Sequence, residues 1–199
     1  MIAIIDYGAG NIFSVKNALD YIAEKSVLTS DSKEIERADA IILPGVGAFP
    51  DAMKKLNQSG LIDCIRKQAA EKPFLGICLG MQLLFSKGFE FEESDGLSLI
   101  DGMVRRINAN DLSVPHIGWN KLEVLAPCPL LKGLSGNEYV YFVHSFRAVC
   151  ASENVAAYCE YGEIIPALVQ KDNIFGAQFH PEKSGETGLQ ILRNFGDLI

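Results

Sequence analysis

Several kinds of site are missing from this sequence. It contains no C-x-x-C pair, and its five cysteines, an odd number, show no paired or metal-like spacing. Its three histidines, His116, His144 and His180, are too scattered along the chain to complete such a pattern. Neither a structural zinc site nor a disulfide framework is therefore predicted, and free thiols indicate a cytoplasmic protein.

Positive charge and long hydrophobic runs are also scarce. Lys and Arg number 18 against 25 Asp and Glu, so the net charge is −7 and no basic cluster is present to bind nucleic acid phosphates. No apolar stretch approaches the roughly 18 residues of a membrane span. The N-terminus, Met1–Asp6, lacks the basic region of a signal peptide and predicts a first strand instead. We therefore expect neither nucleic acid nor membrane as a partner.

The pattern of apolar residues changes along the chain. Up to about residue 100, apolar runs alternate with residues spaced three and four apart, which predicts buried parallel strands separated by helices. The second half contains short alternating runs rich in β-branched and aromatic residues, which predict antiparallel strands. The first half holds predicted strands at 3–6, 40–43 and 73–77 and helices at 12–22, 51–58 and 61–71; strands at 104–107, 122–125, 139–143, 156–160, 167–170 and 174–179 and a helix at 186–195 follow. The predicted fold is α/β: one domain over residues 1–199, with an open, mostly parallel sheet flanked by helices and antiparallel strands added in the second half.

The segment Gly76-Ile77-Cys78-Leu79-Gly80 is the most informative part of the chain. It follows the apolar run 73–77 and precedes a helical pattern at 81–85, so it resembles a nucleophile elbow, a sharp turn in which glycines flank an exposed nucleophile. At the start of a helix, the dipole and the unpaired N–H groups favour the thiolate of Cys78. The Leu79 N–H, directly after the nucleophile, can donate to a developing oxyanion.

A second segment, Phe179-His180-Pro181-Glu182, supplies a histidine and a carboxylate about a hundred residues later. Each segment alone has a simpler interpretation, a tight turn around a buried cysteine or a loop after a strand. Together, in the order nucleophile, base and carboxylate, they predict an acyl-transfer site at the carboxyl ends of the strands. The segment Pro44–Gly47 ends a strand that could lie beside the elbow, and its glycines would allow an N–H to turn inward as a second oxyanion donor.

These segments resemble the signature sequences of a known family, the class I (triad) glutamine amidotransferases. Further blocks are similar to the members that supply ammonia for histidine biosynthesis, and the resemblance extends over essentially the whole chain. The blocks are Asp6–Ile12, Leu43–Gly47, Pro73–Gln82, Pro115–Asn120, Tyr141–Ser145 and Phe179–Lys183.

The resemblance implies a role for individual residues. It implies a triad of Cys78, His180 and Glu182, oxyanion donors at Val46, Gly47 and Leu79, and glutamine binding by Gln82, Glu90 and the backbone of Ser145 and Phe146. The sequence around Glu90 is irregular, so Glu92 or Glu93 could bind the glutamine ammonium instead, and all three could belong to a solvated loop.

The resemblance also implies a partner. It places Asn11, Trp119, Tyr141 and Lys183 at a surface that contacts a (β/α)8 cyclase subunit, in a heterodimer that transfers ammonia from L-glutamine. For Trp119 the alternative is a core or strand-end aromatic, and His116 and His144 are interpreted as structural or near this surface. No cofactor or metal is implied.

Two other functions remain open at this point. A paralogous glutaminase could feed ammonia to a different acceptor synthase, such as one that makes amidino sugars, because the glutaminase blocks would look the same. A non-catalytic regulatory module on the same fold would need a broken triad, and no triad position is broken here.

Overall fold

The computed structural model describes residues 1–199. Its strands are β1 Ile2–Ile5, β2 Ser26–Thr29, β3 Ala40–Gly45, β4 Phe74–Cys78, β5 Phe85–Gly88, β6 Ser94–Asp95, β7 Ile100–Arg106, β8 His116–Lys121, β9 Glu123–Val124, β10 Tyr139–His144, β11 Phe146–Val149, β12 Val155–Tyr161, β13 Glu163–Lys171 and β14 Ile174–Ala177. Its α-helices are α1 Ile12–Tyr21, α2 Ser32–Arg37, α3 Phe49–Gln58, α4 Ile62–Ala69, α5 Leu79–Gln82 and α6 Gly185–Gly196. Short 3₁₀ turns lie at Pro129–Leu131, Ser152–Asn154 and Pro181–Lys183.

An eight-stranded sheet in the order β2-β1-β3-β4-β14-β13-β12-β9 forms the centre of the molecule. Strands β2, β1, β3, β4 and β14 are parallel, and β13, β12 and β9 continue the sheet with antiparallel pairing. The predicted fold class, a mostly parallel sheet with antiparallel strands from the second half, is confirmed. Strands β3, β4 and β14 lie side by side, so their carboxyl ends meet at one edge of the sheet, where α/β proteins place their active sites.

The apolar strands bury both faces of this sheet. On one face, alternate residues such as Ile4 and Ile42 pack with α1 and α6 in a cluster of 30 buried residues. On the other face, Ile5 and Ile41 pack with α2, α3 and α4 in a cluster of 23. Since successive strand residues point to opposite faces, runs that are apolar at every position are required here.

Two smaller sheets complete the second half of the chain. Strands β8 and β10 form an antiparallel ribbon, and β11-β7-β5-β6 form a four-stranded sheet. None of the helices combines the length and the hydrophobicity that a membrane span requires.

The helix predicted at 81–85 is wrong. Helix α5 ends at Gln82, and Phe85 already begins β5. The carbonyl groups of Leu83 and Leu84 accept hydrogen bonds from Leu97, Leu99 and Ile100 instead of from residues further along a helix. Tertiary pairing with this returning segment therefore stops the helix after one turn.

Candidate active site

Cys78 is the last residue of β4 and lies in a strained conformation. Its φ is 55° and its ψ is −112°, a region that residues other than glycine rarely adopt. The thiol is largely buried, with 6% of the residue exposed. A strained residue at the carboxyl end of a central parallel strand, followed at once by a helical turn, is the geometry of a nucleophile elbow.

The flanking glycines are required by two close approaches, that of β3 to Gly80 and that of the turn itself to Gly76. A Cβ on Gly80 would lie 1.9 Å from the Leu43 carbonyl oxygen, and one on Gly76 would lie 2.6 Å from the Gly80 carbonyl oxygen. A Cβ on Gly45, in β3, would lie 2.6 Å from the Gly80 nitrogen. Backbone atoms cannot move aside as a flexible side chain can, so these positions admit only glycine.

Gly80→Ala is expected to destabilise the protein by about 3 kcal/mol or more, because overpacking against backbone costs this order of free energy. The free energy of unfolding in urea measures the effect. Gly133→Ala is the matched control, since Gly133 also lies in a turn but its Cβ would meet nothing within 4 Å. At Gly133 only the positive φ of 80° opposes alanine, at a cost of about 1 kcal/mol. Equal destabilisation by the two substitutions would contradict the steric explanation.

His180 and Glu182 form a buried pair just beyond β14. His180 Nδ1 lies 2.8 Å from Glu182 Oε1, and the two side chains are 2% and 1% exposed. The backbone of His180 is held by its N–H to Tyr141 and by the Ser184 hydroxyl, which donates to its carbonyl. This pairing orients the ring and leaves His180 Nε2, which is buried without a hydrogen-bond partner, as the free nitrogen.

The charge state of His180 is set by competing effects. Burial lowers the pKa of His180, but the neighbouring Cys78 and the Glu182 carboxylate outweigh burial and raise the pKa to about 10. The charged imidazolium is therefore favoured at His180, beside the Cys78 thiol. A charged histidine next to a thiol is the arrangement that activates a cysteine nucleophile.

The thiol and the imidazole open into one cavity of about 370 Å³, a volume suited to a small ligand. The residues lining it are Val46, Gly47, Cys78, Leu79, Gln82, Glu90, Pro115, Val143, His144, Ser145, Phe146, His180 and Lys183. The structure thus brings together every residue predicted for the oxyanion and glutamine sites, while Glu182 lies behind His180. No group of three or more His, Cys, Asp or Glu side chains is arranged to hold a metal ion.

The family model for class-I glutamine amidotransferases matches residues 3–198. The chain belongs to this family. Among curated relatives, the imidazole glycerol phosphate synthase subunit HisH of Bacillus cereus is 51% identical over 201 residues, covering all of this chain and 95% of the relative. The protein of the same name from Caldanaerobacter subterraneus subsp. tengcongensis is 52% identical, with 100% and 98% covered.

Two solved structures share the fold. A crystal structure of a glutamine amidotransferase superposes with a TM-score of 0.78 at 23% identity, covering 100% of this chain and 98% of the other. The structure of PurLQS from Thermotoga maritima gives a TM-score of 0.74 at 22% identity, with 98% and 96% covered.

The three acidic residues near position 90 of this amidotransferase have different surroundings. Glu90 lines the cavity, and its Oε2 accepts a hydrogen bond of 2.8 Å from the Phe49 N–H at the start of α3. Glu93 pairs with Lys87 at the exposed surface. Glu92 faces an open groove beside α3. Only Glu90 is therefore placed to meet a ligand beside Cys78.

Gln82 is buried, and its amide is already engaged within the protein. Its Nε2 donates to the Phe146 carbonyl and to Gln178 Oε1, both at 2.9 Å. Only Gln82 Oε1 remains for a ligand. The Nε2 group instead stabilises the cavity wall through its two hydrogen bonds. Gln178, which the sequence analysis missed, is fully buried, and its Nε2 lies 4.0 Å from Cys78 Sγ.

The connection between β10 and β11 forms the wall opposite the elbow. The Ser145 carbonyl accepts a hydrogen bond of 2.9 Å from Ile107, whereas the Ser145 N–H donates to no group of the protein. The Val143 carbonyl lies 4.0 Å from Cys78 Sγ. This segment therefore offers a free backbone donor to a ligand within the cavity.

The predicted oxyanion loop joins β3 to α3. Val46 is 44% exposed, and Gly47 adopts a φ of 103°, which favours glycine. Leu79, the other predicted donor, is buried at the first position of α5, where a helical N–H has no partner within the helix. The β3–α3 loop and the first residue of α5 thus line the same cavity as the thiol.

The predicted interface residues cluster beside the cavity. Trp119 and Tyr141 are register partners in the β8–β10 ribbon, their rings 6.1 Å apart, and Trp119 is more than half exposed. Lys183 Nζ lies 5.9 Å from the centre of the Tyr141 ring. Asn11 directly precedes α1, which contacts the 3₁₀ turn that carries Lys183. Trp119 is therefore not a core residue.

Proposed function

We propose that this amidotransferase is the glutaminase subunit of an imidazole glycerol phosphate synthase. It hydrolyses L-glutamine to glutamate and ammonia and transfers the ammonia to a cyclase subunit in histidine biosynthesis. The observation that carries the hydrolytic part is the strained Cys78 thiol beside the buried His180–Glu182 pair in a ligand-sized cavity. Identity of about half of all residues with relatives named as this subunit supports the pathway.

In the proposed reaction, the Cys78 thiolate attacks the side-chain carbonyl carbon of glutamine. The C=O electron pair moves to oxygen, and this oxyanion accepts hydrogen bonds from Leu79 N–H and from the Val46–Gly47 loop. When the C–N bond breaks, His180 Nε2 gives its proton to the departing nitrogen, so ammonia leaves and a glutamyl thioester remains. His180 then takes a proton from water, which attacks the thioester and releases glutamate and the thiolate. Glu182 keeps the ring oriented through Nδ1 in both steps.

The product determines the need for a partner. Ammonia free in neutral water is mostly protonated and is then no nucleophile, so it has to pass directly to the acceptor enzyme. In this proposal the acceptor is a (β/α)8 cyclase that forms imidazole glycerol phosphate and an aminoimidazole carboxamide ribotide. Ammonia reaches it without entering solvent.

The exposed face of the β8–β10 ribbon is the proposed contact surface. Ile117, Trp119 and Tyr139 are each more than half exposed there, and Tyr141 lies between them and Lys183. Aromatic side chains are enriched at the centres of protein interfaces. The same ribbon continues through Val143 to the thiol, so a partner seated on it would cover the mouth of the cavity.

Co-purification with the cyclase subunit, followed by an assay of ammonia transfer, tests this assignment. We expect a one-to-one complex that makes imidazole glycerol phosphate from glutamine. If the protein hydrolyses glutamine only with another acceptor synthase, the paralogue interpretation replaces this one and the triad chemistry stands.

Glu90→Gln is expected to raise KM for glutamine by about 10- to 100-fold, since a charge-assisted hydrogen bond to the substrate ammonium contributes about 1.5–3 kcal/mol. Glutamine at this position keeps an oxygen to accept from the Phe49 N–H, so the start of α3 stays capped. Steady-state glutaminase kinetics in the complex measure the change. Glu92→Gln and Glu93→Gln are the matched controls, and a comparable rise in KM for either would show that the wrong carboxylate has been assigned.

A further inference from the structure

Two buried histidines that take no part in the proposed triad lie beside the cavity. His116 and His144 face each other across the β8–β10 ribbon as register partners, and they are 2% and 6% exposed. His116 Nδ1 lies 3.1 Å from His144 Nε2. The His116 ring is stacked between Phe142 and Tyr161, with centroid distances of 4.8 and 3.9 Å. Two imidazoles kept so close in an aromatic setting require a defined arrangement of their protons.

The partners of the two rings determine that arrangement. His144 Nδ1 lies 2.8 Å from the Phe146 carbonyl oxygen, which can only accept, so Nδ1 carries the proton. His144 Nε2 of the neutral ring is then an acceptor, and His116 Nδ1 donates to it. His116 Nε2 is left as an acceptor for the amide of Asn120, 3.5 Å away. All donors therefore point in one direction, from Asn120 through both rings to Phe146.

This arrangement holds only while both rings are neutral, because an added proton would place two N–H groups against each other. Burial lowers the pKa of His116 to about 4 and that of His144 to about 3, the latter despite the hydrogen bond to Phe146. The neighbouring imidazoles add to this effect, since His116 and His180 each lower the pKa of His144.

The hydrogen bonds converge on the wall of the cavity. The Phe146 carbonyl oxygen accepts from His144 on one side and from Gln82 Nε2 on the other, which occupies both of its lone pairs. The Ser145 carbonyl is held separately by Ile107. The peptide groups around Ser145 are thereby fixed from three directions, with the Ser145 N–H left free.

We propose that His144, locked in one tautomer by His116, is a positioning residue that holds the Ser145–Phe146 backbone ready for the glutamine carboxylate. This inference rests on the proposed glutaminase function and adds to it two residues outside the Cys78–His180–Glu182 triad. His144 acts through the backbone, so its loss weakens substrate binding and leaves the triad intact.

The test compares two replacements of His144 in the complex with the cyclase subunit. Asparagine places an amide near the position of Nδ1 and keeps the donor to Phe146, whereas glutamine places it near Nε2 and keeps only the contact with His116. We expect His144→Asn to retain the wild-type KM for glutamine within about threefold. His144→Gln raises KM about tenfold, the effect of losing one buried hydrogen bond, with a smaller change in kcat. Equal KM values for the two variants would overturn the proposal.

Two further measurements separate positioning from a purely structural role. Val140→Ala removes buried apolar contacts from the same face of β10, so it lowers stability but leaves KM unchanged. NMR of the ¹⁵N-histidine-labelled protein at pH 7 is expected to show both His116 and His144 as the neutral Nδ1–H tautomer, and an Nε2–H tautomer or a charged ring in either would overturn the proposal. A wild-type complex that hydrolyses no glutamine would instead refute the proposed function, before any variant is compared.

Discussion

Cys78→Ala is expected to abolish glutamine-dependent synthesis by the complex while leaving ammonia-dependent synthesis intact. The substitution removes the atom that forms the thioester, and in enzymes of this kind the loss of the nucleophile lowers kcat by about 10⁴-fold or more. Ammonia supplied in solution bypasses the glutaminase site, so the cyclase reaction does not depend on the thiol. Both rates are measured on the same preparation, with glutamine or with an ammonium salt at alkaline pH.

The controls for this prediction come from the other free cysteines. Cys64 is partly exposed on α4, outside the cavity, so Cys64→Ser leaves both activities unchanged. Alanine at position 78 removes only the thiol and leaves the packing of the neighbouring glycines unchanged. The complex is therefore expected to form as before. Glutaminase turnover that survives in Cys78→Ala would show that the triad is wrongly assigned.

The parts of this site that sequence could predict are those encoded over short distances. The elbow depends on two glycines placed two residues either side of Cys78, and the base and its carboxylate are only two residues apart. The apolar strand before each segment puts both at the same sheet edge, because β4 and β14 are neighbours. Local spacing and the topology of parallel sheets were sufficient for these features.

Other features depend on contacts between distant segments. The sequence left Glu90, Glu92 and Glu93 as alternatives, because the loop that carries them has no periodicity. The hydrogen bond from Phe49, 41 residues away, distinguishes Glu90 from the other two. Gln178 contacts Cys78 across 100 residues of chain. One signal for it was available, since residues two apart in an extended segment share a face and Gln178 precedes His180 by two.

The structure also limits one argument made from sequence. Stabilisation of the thiolate by a helix dipole assumed a helix through position 85, whereas α5 is four residues long. The pKa of His180 is raised by Cys78 and Glu182, so a charged imidazolium is favoured beside the thiol. The His180–Glu182 pair, just beyond β14, is therefore a source of electrostatic support for the thiolate that does not depend on the length of α5.

The isolated subunit is expected to hydrolyse glutamine about 10²- to 10³-fold more slowly than the complex with the cyclase subunit, the usual effect of a missing oxyanion donor. The physical reason lies in the junction of β3 and α3. A Cβ on Gly45 would lie 2.6 Å from the Gly80 nitrogen, so the chain is closely packed there, whereas a Cβ on Gly47 would meet nothing within 4 Å. The freedom of this loop thus begins at Val46, which is exposed where the proposed partner would sit. Glutaminase rates with and without the cyclase subunit test this, and full activity of the isolated subunit would contradict it.

Activation through this loop has a further consequence for the thiol itself. The elbow is fixed by the packing of Gly76 and Gly80, and the ring of His180 is fixed by Glu182, in both cases by groups of this chain alone. Alkylation of Cys78 by a small neutral reagent forms no oxyanion, so its rate is expected to differ by less than about threefold between the isolated subunit and the complex, far below the 10²-fold effect of an oxyanion donor. If alkylation rises in parallel with hydrolysis, the partner acts on the nucleophile and not on the oxyanion loop. A difference confined to hydrolysis assigns the regulation to Val46 and Gly47, the two residues of the site that the fold leaves free to turn.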